Sequence, residues 1–266
     1  MTVSLVIATY NWPEALELII FSALNQRIPP LEIIIADDGS TPETTTLINK
    51  ISNNSAVPIH HIWQPDDGFQ KSIILNKAFA KSTGEYIIQI DGDVILHRNF
   101  IEDHVQLAQK NCFIQGGRVI LGKAISERIL LKKQTKISIL KGGIKRREEG
   151  IRMILLSNFL STRYRNKYPV YYARGANMSF WKSDLLETNG YNEEFSGWGH
   201  EDSELTVRLL NAGKRKLILK FGGIVYHLFH HEHHSKKNDA RNEKLLKQTV
   251  ASGLVYVDKG IDQYVK

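Results

Sequence analysis

The feature that most constrains this chain is an apolar run that ends in two carboxylates. Residues 86–90 are apolar apart from Gln89 and are typical of a buried strand, and Asp91 and Asp93 follow where that strand would end. Residues two apart in extended chain project to the same side, so the two carboxylates can converge on one hard cation. Oxygen ligands of this kind suit Mg²⁺ or Mn²⁺. The alternative is a plain Asp-Gly turn between two strands.

Strands and helices alternate through the first part of the sequence. Residues 3–8, 32–36 and 59–63 are short stretches rich in β-branched residues that predict strands, and residues 12–25, 42–52 and 71–81 predict helices between them. This alternation is typical of an α/β fold with a mostly parallel sheet. Asp37 and Asp38 follow the second predicted strand, so two strand ends carry carboxylates along the edge where such sheets bind ligands. The turn interpretation is therefore disfavoured.

The remaining elements are predicted in less detail. Residues 113–121 predict one strand, 171–180 a strand with a turn, 182–188 a short helix and 216–226 a last strand region. A helix from about residue 238 and a polar tail complete the chain. Cys112 is the only cysteine, which excludes an intrachain disulfide. No apolar run approaches the roughly 20 residues of a transmembrane helix, and no signal peptide is visible, so we expect a cytoplasmic protein.

Positive charge is concentrated in residues 122–168. This stretch holds thirteen Lys or Arg and three acidic residues, a net charge of +10 in a chain whose total is +7. Residues 125–140 and 151–160 mix aliphatic and basic residues at helical spacing. They predict either a solvated helical pair covering the sheet or an amphipathic surface for anionic lipid or an anionic acceptor. Nucleic acid is not expected, because stacking aromatics are few and no binding motif is present.

Two further stretches carry candidate chemistry. The sequence Gly197-Trp198-Gly199 is followed by three carboxylates within four residues, at the predicted start of a helix. The first two of these carboxylates are Glu201 and Asp202. Acids at a helix start complement the helix dipole, but this does not account for the two glycines, which predict a tight loop that presents the tryptophan to a ligand. Five histidines lie within residues 227–234. They lack the fixed spacing of a structural zinc site, so an extra ligand for the cation at Asp93 is the favoured interpretation.

Taken together, these segments resemble a known family. Residues 4–11, 34–40, 84–86 and 91–93 resemble the family 2 glycosyltransferases of GT-A fold. Residues 197–202 are similar to the galactosyltransferase-type motif of related enzymes and of chondroitin-type polymerases. The resemblance implies a nucleotide-sugar-binding GT-A fold, with a mostly parallel central sheet flanked by helices. It divides the chain into a donor-binding half (1–121), a basic helical insertion (122–168), an acceptor and catalytic half (169–238) and a C-terminal helix and tail (239–266).

The same resemblance implies roles for individual residues. Asp93 would bind Mn²⁺ or Mg²⁺ together with His227, or with His230 as the alternative, and Asp202 would be the general base. The implied contacts to a UDP-sugar donor are Ala8, Thr9, Asp38, Lys71, Asn76, Asp91 and Gly92. The implied contacts to a saccharide or lipid-linked saccharide acceptor are Asn177, Trp198, Gly199 and Glu201. Many relatives carry Ala-Arg-Asn where this chain has Ile74-Leu75-Asn76, which leaves Lys71 as the nearest cation for the phosphates.

The sequence therefore predicts an inverting, metal-dependent glycosyltransferase. It would move a hexose or N-acetylhexosamine from UDP to a saccharide hydroxyl in lipopolysaccharide, capsule or other surface polysaccharide synthesis, at the inner membrane face. One alternative is a non-catalytic membrane- or polyanion-binding module that retains the fold. Another is a nucleotidyltransferase, but such an enzyme needs a glycine-rich basic loop after the first strand to bind the nucleoside triphosphate. Residues 8–13 contain neither glycine nor a basic residue.

Overall fold

The computed structural model describes residues 1–164, 168–231 and 239–265. Strands and helices alternate up to residue 91, and the predicted elements of this part are confirmed. They are β1 (Val3–Thr9), α1 (Pro13–Leu24), β2 (Glu32–Asp37), α2 (Pro42–Ser52), β3 (Ile59–Trp63), α3 (Lys71–Lys81) and β4 (Tyr86–Asp91). Proline in the first turn of α1 and of α2 helps to define where these helices start.

The rest of the described chain has shorter elements. They are β5 (Val94–Leu96), α4 (Phe100–Leu107), β6 (Cys112–Gly116), β7 (Val119–Leu121), α5 (Lys123–Lys132), β8 (Ile144–Lys145), α6 (Ile154–Leu160), β9 (Asn177–Trp181), α7 (Lys182–Glu187), α8 (Glu201–Asn211), β10 (Arg215–Leu219), β11 (Val225–His227) and α9 (Asp239–Ser252). Short 3₁₀ turns lie at Arg147–Gly150 and Ile261–Tyr264.

Seven strands form the main sheet, in the order β10-β6-β9-β4-β1-β2-β3. All neighbouring strands are parallel except β9, which runs antiparallel to both β4 and β6. Apolar residues of α1, α2 and α4 cover one face, and those of α3, α7 and α8 cover the other. Because both faces are buried, the central strands are almost continuously apolar, as parallel sheets require. The expected α/β class is confirmed.

A smaller sheet, in the order β5-β11-β7-β8, lies beyond the end of β4. Strand β11 is antiparallel to β5 and pairs His227 with Val94, so the chain just after Asp93 is fixed beside β11. Strand β8 comes from the basic stretch, whose apolar residues Ile125, Ile129 and Ile144 join the core under this sheet. Among the described residues, no helix combines the length and apolarity needed to cross a bilayer.

Several sequence predictions are wrong in this second part. Each strand predicted over 113–121 and 216–226 is in fact two strands: β6 and β10 belong to the main sheet, and β7 and β11 belong to the smaller one. A glycine pair lies where each predicted strand is interrupted, at 116–117 and at 222–223. The helix predicted over 125–140 ends at Lys132, because Lys133 adopts the left-handed conformation with φ 47°. Strand β5 and helix α4 were not predicted, since a three-residue strand is too short to show a period.

Candidate active site

The carboxyl ends of β1, β2 and β4 meet at one edge of the main sheet. Ala8 lies opposite Asp91, and Thr9 lies opposite Asp37. A Cβ on Gly92 would lie 2.6 Å from the carbonyl oxygen of Ala8, so the chain after β4 packs against β1 only because this residue is glycine. The Thr9 hydroxyl oxygen is buried and has no hydrogen-bond partner among the described residues. The edge therefore brings together four of the predicted donor-side residues.

Asp93 lies in a cluster with two histidines. Its Oδ2 is 3.1 Å from Nε2 of His227 and 3.0 Å from Nε2 of His230. Burial raises the pKa of Asp93, but the hydrogen bonds and charges of the histidines outweigh burial and hold the pKa below its usual value. Asp93 Oδ1 and His227 Nδ1 are buried without partners in the part of the chain that the structure describes.

This donor set fits a divalent cation. The three candidate ligand atoms lie within 4.8 Å of one another, and a carboxylate with two imidazoles suits Mn²⁺ and similar ions. Both predicted histidines belong to the cluster, so they are joint candidates rather than alternatives. His231 is exposed, and the other two histidines of the 227–234 run, His233 and His234, lie outside the described residues.

Lys71 connects the donor edge to the carboxylates of α8. Its Nζ lies 2.6 Å from Oδ1 of Asp91. Burial lowers the pKa of Lys71, but the negative charges of Asp91, Asp202 and Glu201 outweigh burial and raise it above the usual value. Asp91 and Asp202, which are far apart in sequence, thus act on the same ammonium group. Sequence reasoning could not establish this proximity.

Arg118 is a site residue that sequence reasoning missed. It lies between β6 and β7, and its buried Nε has no hydrogen-bond partner among the residues that the structure covers. Burial and the charge of Arg174 lower the pKa of Arg118, whereas Asp91 and Asp93 act in the opposite direction. A second arginine therefore lies close by. The only sequence signal was a lone arginine after the glycine pair 116–117, which is no recognised motif.

Asp202 occupies the first turn of α8 and has two donors. Its Oδ2 accepts a hydrogen bond of 2.6 Å from the backbone N–H of Gly175, and its Oδ1 accepts one of 2.8 Å from the hydroxyl of Tyr191. Each carboxylate oxygen keeps a further lone pair for another ligand. Tyr191 was not predicted as a site residue, because it lies outside every recognised motif.

The loop before α8 presents an exposed aromatic ring. Trp198 is 47% exposed and lies between Gly197 and Gly199, whose φ values of 72° and 111° favour glycine. Glu201 Oε2 accepts a hydrogen bond from the Gly199 N–H at 3.0 Å. Burial and the charge of Asp202 raise the pKa of Glu201 to about 7, against the opposing effect of Lys71. The predicted tight loop is confirmed, and contact with a sugar stays a prediction.

Two predicted contact residues are buried and hydrogen-bonded within the protein. Asn177 is buried, and its amide donates to the carbonyls of Gly117 and Gly223 at 2.8 Å each while its Oδ1 is 2.9 Å from Nε2 of His104. Asn76 is also buried and bonds both the N–H and the carbonyl of Tyr191 at 2.8 Å. Both amides are used within the protein. These hydrogen bonds fix neighbouring segments of the chain, and contact of either residue with a substrate stays a prediction.

Asp38 also has protein partners for both oxygens. Its Oδ2 accepts from the N–H of Gln70 at 2.8 Å, and its Oδ1 accepts from Nε2 of Gln64 at 2.7 Å. Burial raises its pKa to about 6, although these two hydrogen bonds oppose the rise. Contact of Asp38 with a nucleoside stays a prediction, and it would have to use the remaining lone pairs.

The fold and the site together define a GT-A glycosyltransferase domain: a mostly parallel sheet with carboxylates and a candidate cation cluster at its ligand-binding edge. The profile for "Glycosyl transferase family 2" matches residues 4–168, and the profile for "N-terminal domain of galactosyltransferase" matches residues 156–234. The chain belongs to glycosyl transferase family 2.

Relatives of known name include polysaccharide synthases. The chain is 25% identical over 253 residues to a hyaluronan synthase of Pasteurella multocida, covering 90% of this chain and 25% of that protein. It is 25% identical over 224 residues to a chondroitin synthase of Escherichia coli, covering 79% of this chain and 32% of the relative. The chain thus spans about a quarter to a third of the length of these relatives.

Solved structures share the fold. Residues 1–349 of S. aureus TarS in complex with UDP-GlcNAc superpose with a TM-score of 0.66 at 16% identity, covering 100% of this chain and 70% of that one. A mannosyltransferase from Pyrobaculum calidifontis in complex with GDP-Man and Mn²⁺ superposes with a TM-score of 0.60 at 16% identity, covering 90% and 60%.

Proposed function

We propose that this protein is an inverting, divalent-metal-dependent glycosyltransferase. It moves a hexose or N-acetylhexosamine from a UDP-sugar to a hydroxyl of a saccharide acceptor in surface polysaccharide synthesis. The observation that carries the proposal is that carboxylates from two parts of the chain act on Lys71. Asp91, next to the Asp93 cluster in the sequence, bonds its ammonium group, and the charges of Asp202 and Glu201 act on the same group. One site thus offers a leaving-group half and a base half.

The donor side would bind the UDP moiety. The residues suited to hold Mn²⁺ or Mg²⁺ are Asp93, His227 and His230, because Asp93 Oδ1 and His227 Nδ1 have no protein partner among the described residues. The cation, when bound, would stabilise the negative charge of the departing diphosphate. Arg118 supplies positive charge on the same side, where a guanidinium can bind phosphate oxygens. Thr9, with its unpartnered hydroxyl, faces the expected nucleoside end of the edge.

The acceptor side would supply the base. The acceptor hydroxyl attacks the anomeric carbon opposite the UDP, the bond from that carbon to the phosphate oxygen breaks with its electron pair going to UDP, and Asp202 takes the hydroxyl proton. A single displacement inverts the anomeric configuration. Trp198, exposed in its glycine loop, would stack on a sugar ring.

The basic stretch supports an anionic membrane surface as the place of reaction. In α6, Leu155 and Phe159 are 85% and 57% exposed and lie four residues apart, on one helix face. Arg163 lies over the Phe159 ring at 4.4 Å. Apolar residues flanked by cations suit an anionic bilayer. A relative named a glucosyltransferase acting on a diphosphoundecaprenol-linked sugar, E. coli WfaP, is 34% identical over 91 residues, covering 34% of this chain and 35% of that protein. A lipid-linked acceptor at the cytoplasmic membrane face is therefore part of the proposal.

A donor screen tests the proposal. Thermal shift and UDP release are measured across UDP-sugars with and without Mn²⁺, for the wild type and for Asp93→Ala and Asp202→Asn. We expect Asp93→Ala to lose Mn²⁺-dependent donor binding and Asp202→Asn to bind donor but not turn it over. Glu127→Gln, at an exposed carboxylate of α5, is the matched control. No donor binding and no UDP release by the wild type with any UDP-sugar would refute catalysis and favour the non-catalytic membrane or polyanion module.

A further inference from the structure

Tyr191 lies next to Asp202 although no motif contains it. Its side chain is fully buried, and its hydroxyl has two acceptors within reach, Oδ1 of Asp202 at 2.8 Å and Oε1 of Gln89 at 3.0 Å. Burial and the charge of Asp202 raise the pKa of Tyr191 well above its usual value, so the phenol keeps its proton. A hydroxyl has only one proton to donate, and the charged acceptor at the shorter distance makes the stronger hydrogen bond.

Hydrogen bonds through Gly175 tie the Asp202 carboxylate to the donor strand. Gln89 of β4 donates from Nε2 to the carbonyl of Gly175 at 3.1 Å, and the Gly175 N–H donates to Oδ2 of Asp202. A Cβ at position 175 would lie 2.5 Å from Asp202 Oδ1 and 2.6 Å from Gln89 Nε2. Only glycine permits this approach. Gln89 and Asp91 project to the same side of β4, so these hydrogen bonds join Asp202 to the strand that carries the donor-side carboxylate.

Tyr191 is itself held rigidly. Asn76 of α3 bonds its backbone N–H and its carbonyl, each at 2.8 Å, and the ring of Phe79 stacks on the tyrosine ring with centroids 6.0 Å apart. The hydroxyl therefore points to Asp202 without an entropic cost for ordering it in the folded enzyme.

We propose that Tyr191 is a positioning residue. Its hydroxyl and the Gly175 N–H hold the two oxygens of the Asp202 carboxylate and aim its remaining lone pairs at the acceptor hydroxyl. This inference rests on the proposed function, in which Asp202 is the base. The charged groups that act on Asp202 from the surrounding elements are Lys71 of α3 and Glu201 of α8, with Asp91 of β4 beyond Lys71.

The test is Tyr191→Phe, which removes one oxygen atom and keeps the ring. Tyr86→Phe is the matched control, because Tyr86 is another buried tyrosine whose hydroxyl bonds Ser179, away from Asp202. Turnover is followed as UDP release from the UDP-sugar that the donor screen selects. We expect kcat to fall about ten- to a hundred-fold, the effect of one hydrogen bond to a charged group, with the KM for the donor unchanged. The acid limb of the pH–rate profile should move to higher pH.

A second measurement does not depend on turnover. In protein labelled with ¹³C at the aspartate carboxyls, the Asp202 signal is assigned by its loss in Asp202→Asn. Its titration midpoint should move to higher pH in Tyr191→Phe and stay in place in Tyr86→Phe. An unmoved midpoint overturns the positioning role. If Asp202→Asn retains wild-type turnover, the proposed function fails. If Asp202→Asn is inactive and Tyr191→Phe behaves as the control, only the present inference fails.

Discussion

The buried ion pair between Arg208 and Glu204 supports the turn that carries Tyr191. The two side chains lie four residues apart on α8, and neither is exposed to solvent. Arg208 binds the carboxylate through two nitrogens at 2.8 Å each, and its guanidinium also donates to the carbonyls of Thr188 and Gly190. We predict that Arg208→Met is among the most destabilising single substitutions at a charged residue of this chain.

The magnitude follows from what the substitution leaves behind. Methionine fills most of the volume but leaves a buried carboxylate whose main partner is gone, which costs about 3–5 kcal/mol. Thr249 donates to Glu204 at 3.2 Å and compensates only in part. A domain of ordinary stability has about 5–15 kcal/mol in total, so the loss would be a large fraction of the free energy of unfolding. The double variant Arg208→Met/Glu204→Leu removes the unpaired charge and should be more stable than the single variant.

Urea unfolding followed by circular dichroism measures both variants. Lys247→Met is the control, because Lys247 and Glu243 form an ion pair at the same spacing and a distance of 2.8 Å but on the exposed surface of α9. Such an exposed pair contributes little to stability, because water screens the two charges. If Arg208→Met costs no more than Lys247→Met, the reasoning about burial is refuted. A double variant that is less stable than Arg208→Met would contradict the assignment of the cost to the unpaired carboxylate.

Three further predictions concern the site and its surroundings. Glu201 has a raised pKa of about 7, so the native state binds its proton more tightly than the unfolded chain, and stability falls as pH rises between about 4.5 and 7. Between about pH 5 and about pH 8, the wild type should therefore lose roughly 2–3 kcal/mol more unfolding free energy than Glu201→Gln. Equal losses in the wild type and the variant would contradict this. Arg118→Met should weaken UDP binding, measured by calorimetry, about ten- to a hundred-fold, whereas Arg128→Met, at an exposed arginine, should not. If Arg118→Met binds UDP as tightly as the wild type, Arg118 does not belong to the donor site. The double variant Leu155→Ser/Phe159→Ser should co-sediment less with anionic vesicles than the wild type. If binding of the wild type does not depend on salt or on the anionic lipid content, binding to an anionic membrane surface is excluded.

The elements before residue 92 were predictable because their patterns are local. Apolar runs of five or six residues, bounded by turn residues and separated by helical spacing, predict β1 to β4 and the helices between them. Register then brings the strand ends together, since neighbouring parallel strands present their carboxyl ends at one edge. The carboxylates Asp37, Asp38, Asp91 and Asp93 could be grouped from this rule alone, whereas Ala8 and Thr9 were candidates by resemblance to the family.

Later elements were less predictable because long-range pairing decides them. Gly116 and Gly117 look like part of one strand, yet the chain leaves the main sheet there and joins the smaller one at Val119. Asn76 and Asn177 look like ligand contacts by analogy. Their amides are used to hold the backbone at Tyr191, Gly117 and Gly223, and only the folded structure supplies those partners.

The sequence by itself determined the fold class, the edge of the sheet where the carboxylates meet, and Asp93 as a candidate cation ligand. These follow from local periodicity and from residue chemistry, which need no knowledge of distant contacts. The choice of His227, with His230 as the alternative, rested on the resemblance to the family. Only the tertiary structure decided which side chains share an electrostatic environment. The effects of Asp91 and Asp202 on Lys71, the effect of Asp93 on Arg118, and the hydrogen bond from Tyr191 to Asp202 all join segments far apart in the chain. Charge and hydrogen bonding act over a few ångströms in space, and sequence spacing does not encode that distance.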